Sequence, residues 1–348
     1  MGSARRDGGL GEADAVEART LSGRLRSMVW QPASPDGRPP LLRPQAVYPM
    51  LAFVVVSFGA NWPLMSVGVR SISPLWMLGF RLIGASITLF VFTAVSGRLS
   101  RPQRADYPIV VSVAIFKLAL VFLLVFVALE TVPPGRSAIL VWTASLWSVP
   151  IAGLLIGERI TSGRAVGLTL GIAGILLVFE PTRLDWSDGD VILGHALLIV
   201  AAVLNASVNV HVRRHTWTST PLGLLPWQVL VASVPVALIA VVIEGIPVVE
   251  WDPGLVFIVL YQGVIASGLA MWAQLTVLRS HPAISTNLAL MAIPVVGLGS
   301  SALFVGESLT FAVVGGLVLV LAGVGINVAA DARARANRAG TPPPRPLP

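Results

Sequence analysis

Between residues 48 and 330 the chain alternates long apolar runs with short polar breaks. Ten runs stand out, at roughly 48–69, 74–95, 107–129, 135–157, 164–180, 190–212, 222–244, 253–278, 282–305 and 310–330. The breaks between them include SGRLSRPQRAD, GERITSGR, PTRLDWSDGD and RRHTWTSTP. A helix that crosses a bilayer needs about 20 apolar residues, range 17–25. Run 164–180 sits at the lower limit and the others clear it. A membrane β-barrel would instead show alternating segments of about 10 residues. The pattern therefore predicts an all-α integral membrane protein with ten transmembrane helices.

The ends read differently. Residues 1–47 hold seven Arg and five acids with no sustained apolar run, and they lack the apolar core of a secretory signal. Residues 331–348 add further Arg and a TPPPRP stretch that cannot be helical. Both are expected to be disordered cytoplasmic tails flanking five-helix units at 48–180 and 181–330. Composition agrees with a membrane protein. Of the 348 residues 55% are hydrophobic and only 12% charged, with a mean hydropathy of +0.81, against about 25% charged in soluble domains. A net charge of +7 is not read as nucleic-acid binding, because too few charges remain to coat a groove. Cysteine is absent, which excludes disulfides and thiol chemistry.

With the N-terminus in the cytoplasm, 19 of the 24 Lys and Arg fall on the cytoplasmic side, three (Arg70, Arg136, Arg183) fall outside, and Arg81 and Lys117 lie within helices. That bias predicts a multi-pass protein of the cell inner membrane with both termini cytoplasmic.

Shifted by 149 residues, the stretch 129–174 matches the chain itself at 11 of 46 positions without a gap. The informative pair is Gly157-Glu158 with Thr161, against Gly306-Glu307 with Thr310. An offset of five helices turns the second half upside down, so the halves form inverted repeats, an architecture of secondary transporters. Helices one and two show no comparable match to six and seven.

Pro294-x11-Gly306-Glu307-Ser308-Leu309-Thr310 with Gly316 and Ala322-Gly323, Gly157-Glu158-Arg159-Ile160-Thr161 with Gly167 and Ala173-Gly174, and Phe58-Gly59-Ala60-Asn61-Trp62 leading to Ser73-Pro74 and Arg81 together resemble EamA-type members of the drug/metabolite transporter superfamily. The resemblance covers residues 48–330 and implies a transporter of small metabolites such as amino acids or sugars, usually outward. The first half departs from it with Ser145 opposite Pro294 and a proline at Pro150, so the kink in helix four is expected to differ. Lys117 within helix three is also unusual for the pattern.

All 17 acids fall outside the expected hydrocarbon core, which keeps Arg81 and Lys117 without an acid at matching depth. A charge at a helix centre costs about 2.5–3.5 kcal/mol on insertion scales. Either these cations are satisfied locally, with Arg81 snorkelling toward Glu130 or Glu180, or they line a cavity and attract a carboxylate-bearing solute. Asn61, Trp62, Trp142, Thr143, Ser145, Asn205, Asn209, Gln262, Trp272 and Asn287 are candidate lining, with interhelical hydrogen bonding or packing as the alternative. Gly167-x3-Gly171, Gly263-x3-Ser267 and Gly297-x3-Ser301 read as close-packing motifs. Glu158 and Glu307 read as structural.

Carboxylate-based proton coupling needs an acid in the hydrocarbon core, and helix one has none; His195 is the one histidine well inside a span. No cofactor is expected. His211 and His215 have the i,i+4 spacing of a zinc pair but no third ligand near in sequence. The expected activity is secondary transport, most readily export. A membrane channel or sensor, or an intramembrane enzyme, is the alternative. The partners expected are a small-molecule solute and the lipid bilayer, with room for a homodimer and none for nucleic acid.

Overall fold

A computed structural model describes residues 42–97, 99–157, 160–182, 186–215, 218–281 and 283–339. Readings that rest on the tails 1–41 and 340–348, or on Arg98, Glu158, Arg159, Arg183, Trp217 and Pro282, lie outside these residues. Ten helices among the described residues are long and apolar enough to cross a membrane. They are α1 (Pro44–Gly68), α2 (Pro74–Val95), α3 (Arg104–Ala128), α4 (Pro134–Trp142 and Ala144–Ile156), α5 (Ser162–Phe179), α6 (Gly189–Arg214), α7 (Pro221–Glu244), α8 (Pro253–Ser280), α9 (Ala283–Leu290 and Ala292–Val305) and α10 (Phe311–Ala339). In hydrocarbon every backbone polar group must bond internally, which leaves helices as the way across. The short run before Glu180 is a full helix of 18 residues. Helix α10 continues nine residues past 330, to Ala339, and Arg164 at the start of α5 pairs with its Asp331 at 2.6 Å.

The repeated motif has a structural meaning residue by residue. Gly157 and Gly306 end α4 and α9 in the left-handed conformation, at φ 71° and 70°, where any residue but glycine is strained. Thr161 and Thr310 cap the next helices, their side-chain oxygens accepting from Arg164 N at 3.4 Å and Val313 N at 3.1 Å. Glu307 reaches across to the other half: its carboxylate accepts from Gly135 N at 2.7 Å and Arg136 N at 3.1 Å, at the start of α4.

Irregularities repeat too. Val113–Val121 in α3 and Tyr261–Ala270 in α8 are π-helical, and a shift of 149 lays one on the other. Helix α4 breaks at Thr143 and α9 at Met291, one residue off the same register. The break in α4 therefore falls at Thr143 rather than at Pro150. Thr143 Oγ1 donates to Leu140 O at 2.5 Å, competing with the ladder. In α9, Pro294 has no N–H to bond back to Leu290.

The packing follows the same relation. Helix α1 packs on α8 and α9, and α6 packs on α3 and α4; α2 packs on α8, and α7 on α3. A shift of five helices converts each contact into its counterpart. Helices α5 and α10 pair with each other, antiparallel, through glycines. A Cβ on Gly174 would lie 2.7 Å from Gly316 O, and one on Gly323 would lie 2.4 Å from Gly167 O. Gly167 and Gly174 map onto Gly316 and Gly323 under the 149-residue shift, so this crossing is its own counterpart.

This crossing predicts a sharp contrast. Gly174→Val forces backbone apart and is expected to lower stability by roughly 1–3 kcal/mol. Gly299→Ala, where an added Cβ meets nothing within 4 Å, is expected to leave it unchanged or raised. Thermal unfolding of the detergent-solubilised protein measures both.

Candidate functional site

Arg81, in the first half of α2, is only 3% exposed. Its Nε donates to Ser267 Oγ of α8 at 2.6 Å and its Nη1 to Met65 Sδ of α1 at 3.3 Å. The guanidinium carbon stands 4.1 Å from the centre of the Phe122 ring of α3, with Phe126 further off. Three neighbouring helices thus hold one cation, and no carboxylate of the described residues is among its partners. The expectation that Arg81 snorkels to Glu130 or Glu180 is corrected: Glu180 instead pairs with Arg136 at 2.5 Å, because the chain at Arg81 is enclosed by α1, α3 and α8. A guanidinium has five N–H donors. Two are taken, one of them by a thioether, which is a weak acceptor.

Asn61 joins the cluster. Its Nδ2 donates to the same Met65 Sδ at 2.9 Å, and its buried Oδ1 has no partner. Gln262 of α8 is fully buried with both amide atoms unpartnered. It lies five residues before Ser267 within the π-helical segment, whose i→i+5 bonding sets residues five apart above one another. Gly263 of the small-x3-small motif does pack, its Cβ position 3.0 Å from Gly84 Cα, while Ser267 serves Arg81.

Lys117 is half-buried near the middle of α3, and its Nζ donates to Asn209 Oδ1 of α6 at 2.7 Å. Phe122, the ring on Arg81, is five residues further along α3, so Lys117 lies one turn below it. Asn205, one turn before Asn209, has a buried Oδ1 without a partner.

The other lining candidates go elsewhere. Trp62 is buried beside Gly297 of α9. Thr143 is buried, bonded to Leu140 O and to Trp147 Nε1 at 3.2 Å. Trp142 and Trp272 both pack on an apolar cluster between α1, α8 and α9. Trp272 also sets its ring edge-on to Phe92, 4.6 Å between centres, beside an apolar cavity of about 420 Å³. Ser145 and Asn287 are exposed.

Two polar clusters lie toward the helix ends. His195 of α6 is buried, with Nδ1 2.8 Å from Val191 O, its ring 5.0 Å from Phe179, and Nε2 unpartnered. At the arginine-rich end, Asp106 is buried and accepts from His215 Nε2 at 2.9 Å, Thr218 Oγ1 at 2.6 Å and Ser219 N at 2.8 Å. His215 lies beyond the end of α6 with extended backbone, so it does not share a helical face with His211. No group of three His, Asp or Glu that could hold a metal occurs among the described residues.

Reasoning from sequence missed Met65, Phe122 and the role of Ser267. Only Ser267 carried a signal, as a lone hydroxyl on an apolar face.

Ten apolar helices among the described residues, with matched breaks and buried polar groups drawn from several of them, define a polytopic membrane protein. Comparison makes this specific: residues 46–180 and 192–329 match the EamA-like transporter family, and the chain belongs to that family. It is 24% identical to an uncharacterized transporter, YoaV, of Bacillus subtilis over 79% of this chain and 94% of that one. It is 25% identical to a probable amino-acid metabolite efflux pump of Escherichia coli over 79% and 92%. A crystal structure with 17% identity superposes at a TM-score of 0.60, covering 85% of this chain and 99% of that one, which shows the same fold. The protein is a membrane transporter.

Glu307 supplies a test of the tie between the halves. Burial raises its pKa above the usual carboxylate value, outweighing the two N–H bonds and nearby Arg136, which lower it. A raised folded-state pKa means that the folded protein holds the proton more tightly. The associated stability is full below the ordinary value of about 4.3 and is lost as pH rises through the raised one. Glu307→Gln is expected to flatten that loss in thermal melts taken from pH 4 upward. Glu307→Ala, which strips the helix start of its acceptor, is expected to lower stability at every pH by about 1 kcal/mol.

Proposed function

We propose that this protein is a secondary carrier, working outward, that moves a small carboxylate-bearing metabolite across the cytoplasmic membrane by alternating access. The two inverted five-helix halves, 48–180 and 181–330, exchange conformations around a site between them, with both termini cytoplasmic. Matched π segments, matched breaks and a glycine crossing related to itself by the repeat support the two-fold relation, and the basic-residue bias supports the orientation.

One observation carries the solute reading: the Arg81 guanidinium is buried in the span with a hydroxyl, a thioether and two rings, and without an anion among the described residues. Charges inside membranes are paired or functional. A planar guanidinium suits a carboxylate, which it can bind through two parallel hydrogen bonds. Lys117 with Asn209 and the spare acceptors and donors of Asn61, Asn205 and Gln262 complete a polar lining. The name of the Escherichia coli relative, an amino-acid metabolite efflux pump, fits a carboxylate-bearing solute.

The experiment is counterflow of labelled lactate, succinate, alanine and glutamate into proteoliposomes. The wild-type protein is expected to move at least one. Arg81→Gln and Lys117→Ala are expected to cut that flux more than ten-fold while melting and eluting as the wild type does. Flux through Arg81→Gln at the wild-type rate would sink the assignment.

A further inference from the structure

We infer that the solute is an organic anion without an ammonium group, matched best by a dicarboxylate whose two acids meet Arg81 and Lys117. The inference rests on the carboxylate reading above and narrows it.

Four carboxylates fall within the membrane spans among the described residues, and each lies within three residues of an end: Asp106, Asp190, Glu244 and Asp331. Asp106 is already bonded to His215, Thr218 and Ser219, and Asp331 to Arg164. The cations, by contrast, are the eighth residue of α2 and the fourteenth of α3. The interior therefore holds two positive charges and no negative one. A free amino acid would bring its own ammonium beside them. Neutral groups such as Asn61 Oδ1 could hydrogen-bond an ammonium. They carry no formal charge to offset it, and the Phe122 face that could receive a cation is occupied by Arg81.

Geometry favours two acid groups. Phe122 stacks on Arg81, and Lys117 lies one turn below Phe122 on α3. A dicarboxylate offers one acid group to each of these two heads. Bound, it leaves the interior neutral, whereas a monocarboxylate leaves one cation unbalanced. Arg81 keeps three N–H groups with no protein partner among the described residues, and Lys117 bonds Asn209 alone.

Solutes that differ only by the amino group test this. The full chain in proteoliposomes would be given labelled succinate against aspartate, glutarate against glutamate, and lactate as the monoacid. Succinate and glutarate are expected to enter at least ten-fold faster than aspartate and glutamate, and faster than lactate. Lys117→Gln is expected to close the gap between succinate and lactate. Aspartate or glutamate moving as fast as its deaminated partner, with Arg81→Gln abolishing that flux, overturns this inference and leaves the carboxylate anchor standing. Lactate moving as fast as succinate overturns the two-acid match. Arg81→Gln without effect on any flux, or no flux of any of the five acids, overturns both readings. The decisive comparison uses the wild-type chain, so it does not depend on a variant folding.

Discussion

A hydrocarbon interior supplies no hydrogen bonds, so every backbone polar group within the spans must find its partner inside the protein. That constraint makes ten helices out of ten apolar runs. It also makes the exceptions informative. Thr143 opens the ladder of α4 and satisfies Leu140 O itself. Glu307 crosses between halves to bond two N–H groups at the start of α4, and Thr161 and Thr310 close the starts of α5 and α10. Several buried side chains keep unused hydrogen-bonding capacity, Asn61, Asn205, Thr276, Ser301 and Asn327 among them, and of these Asn61 shares Met65 Sδ with the charged Arg81.

The second organising element is the relation between halves. Contacts α1·α8 and α6·α3, α1·α9 and α6·α4, and α2·α8 and α7·α3 are counterparts, and α5·α10 is its own. Two halves that share one set of contacts can adopt each other's arrangement at little cost, as the proposed alternating access requires. The polar lining does not obey the symmetry. Lys117 maps onto Ala266, and the Arg81–Ser267 bond has no counterpart. The frame is symmetric while the charge is not, so in the proposed mechanism the frame would serve movement and the charge recognition.

Much of the frame was legible in the sequence because its causes are local. Run length sets spans, Gly-Glu-x-x-Thr sets an end and a start, and Arg counts set a bias. Helices one and two matched six and seven poorly in sequence, yet their contacts obey the repeat, since packing preserves shape rather than identity. The site was legible in part. Arg81 and Lys117 announced themselves as charges in apolar runs. Their partners did not: Ser267 lies 186 residues from Arg81 and Asn209 lies 92 from Lys117. Met65 and Phe122 look like any apolar residues until a cation is set against them. The two π segments left no visible pattern, although they decide which residues of α3 and α8 share a face. Trp142 and Trp272, plausible as polar lining, joined an apolar cluster because their rings bury more surface there than their single N–H groups could reward.

The central claim is that Arg81 and Ser267 border the path of an anionic solute. The chain has no cysteine, so Ser267→Cys places a single thiol beside the guanidinium in an otherwise unreactive protein. Labelling of that variant in proteoliposomes by a charged, water-soluble thiol reagent is the most direct measurement. The thiol is expected to be labelled from the aqueous phase, and saturating succinate is expected to slow labelling at least ten-fold. A thiol that never labels, or one whose labelling no carboxylate slows, would contradict the claim.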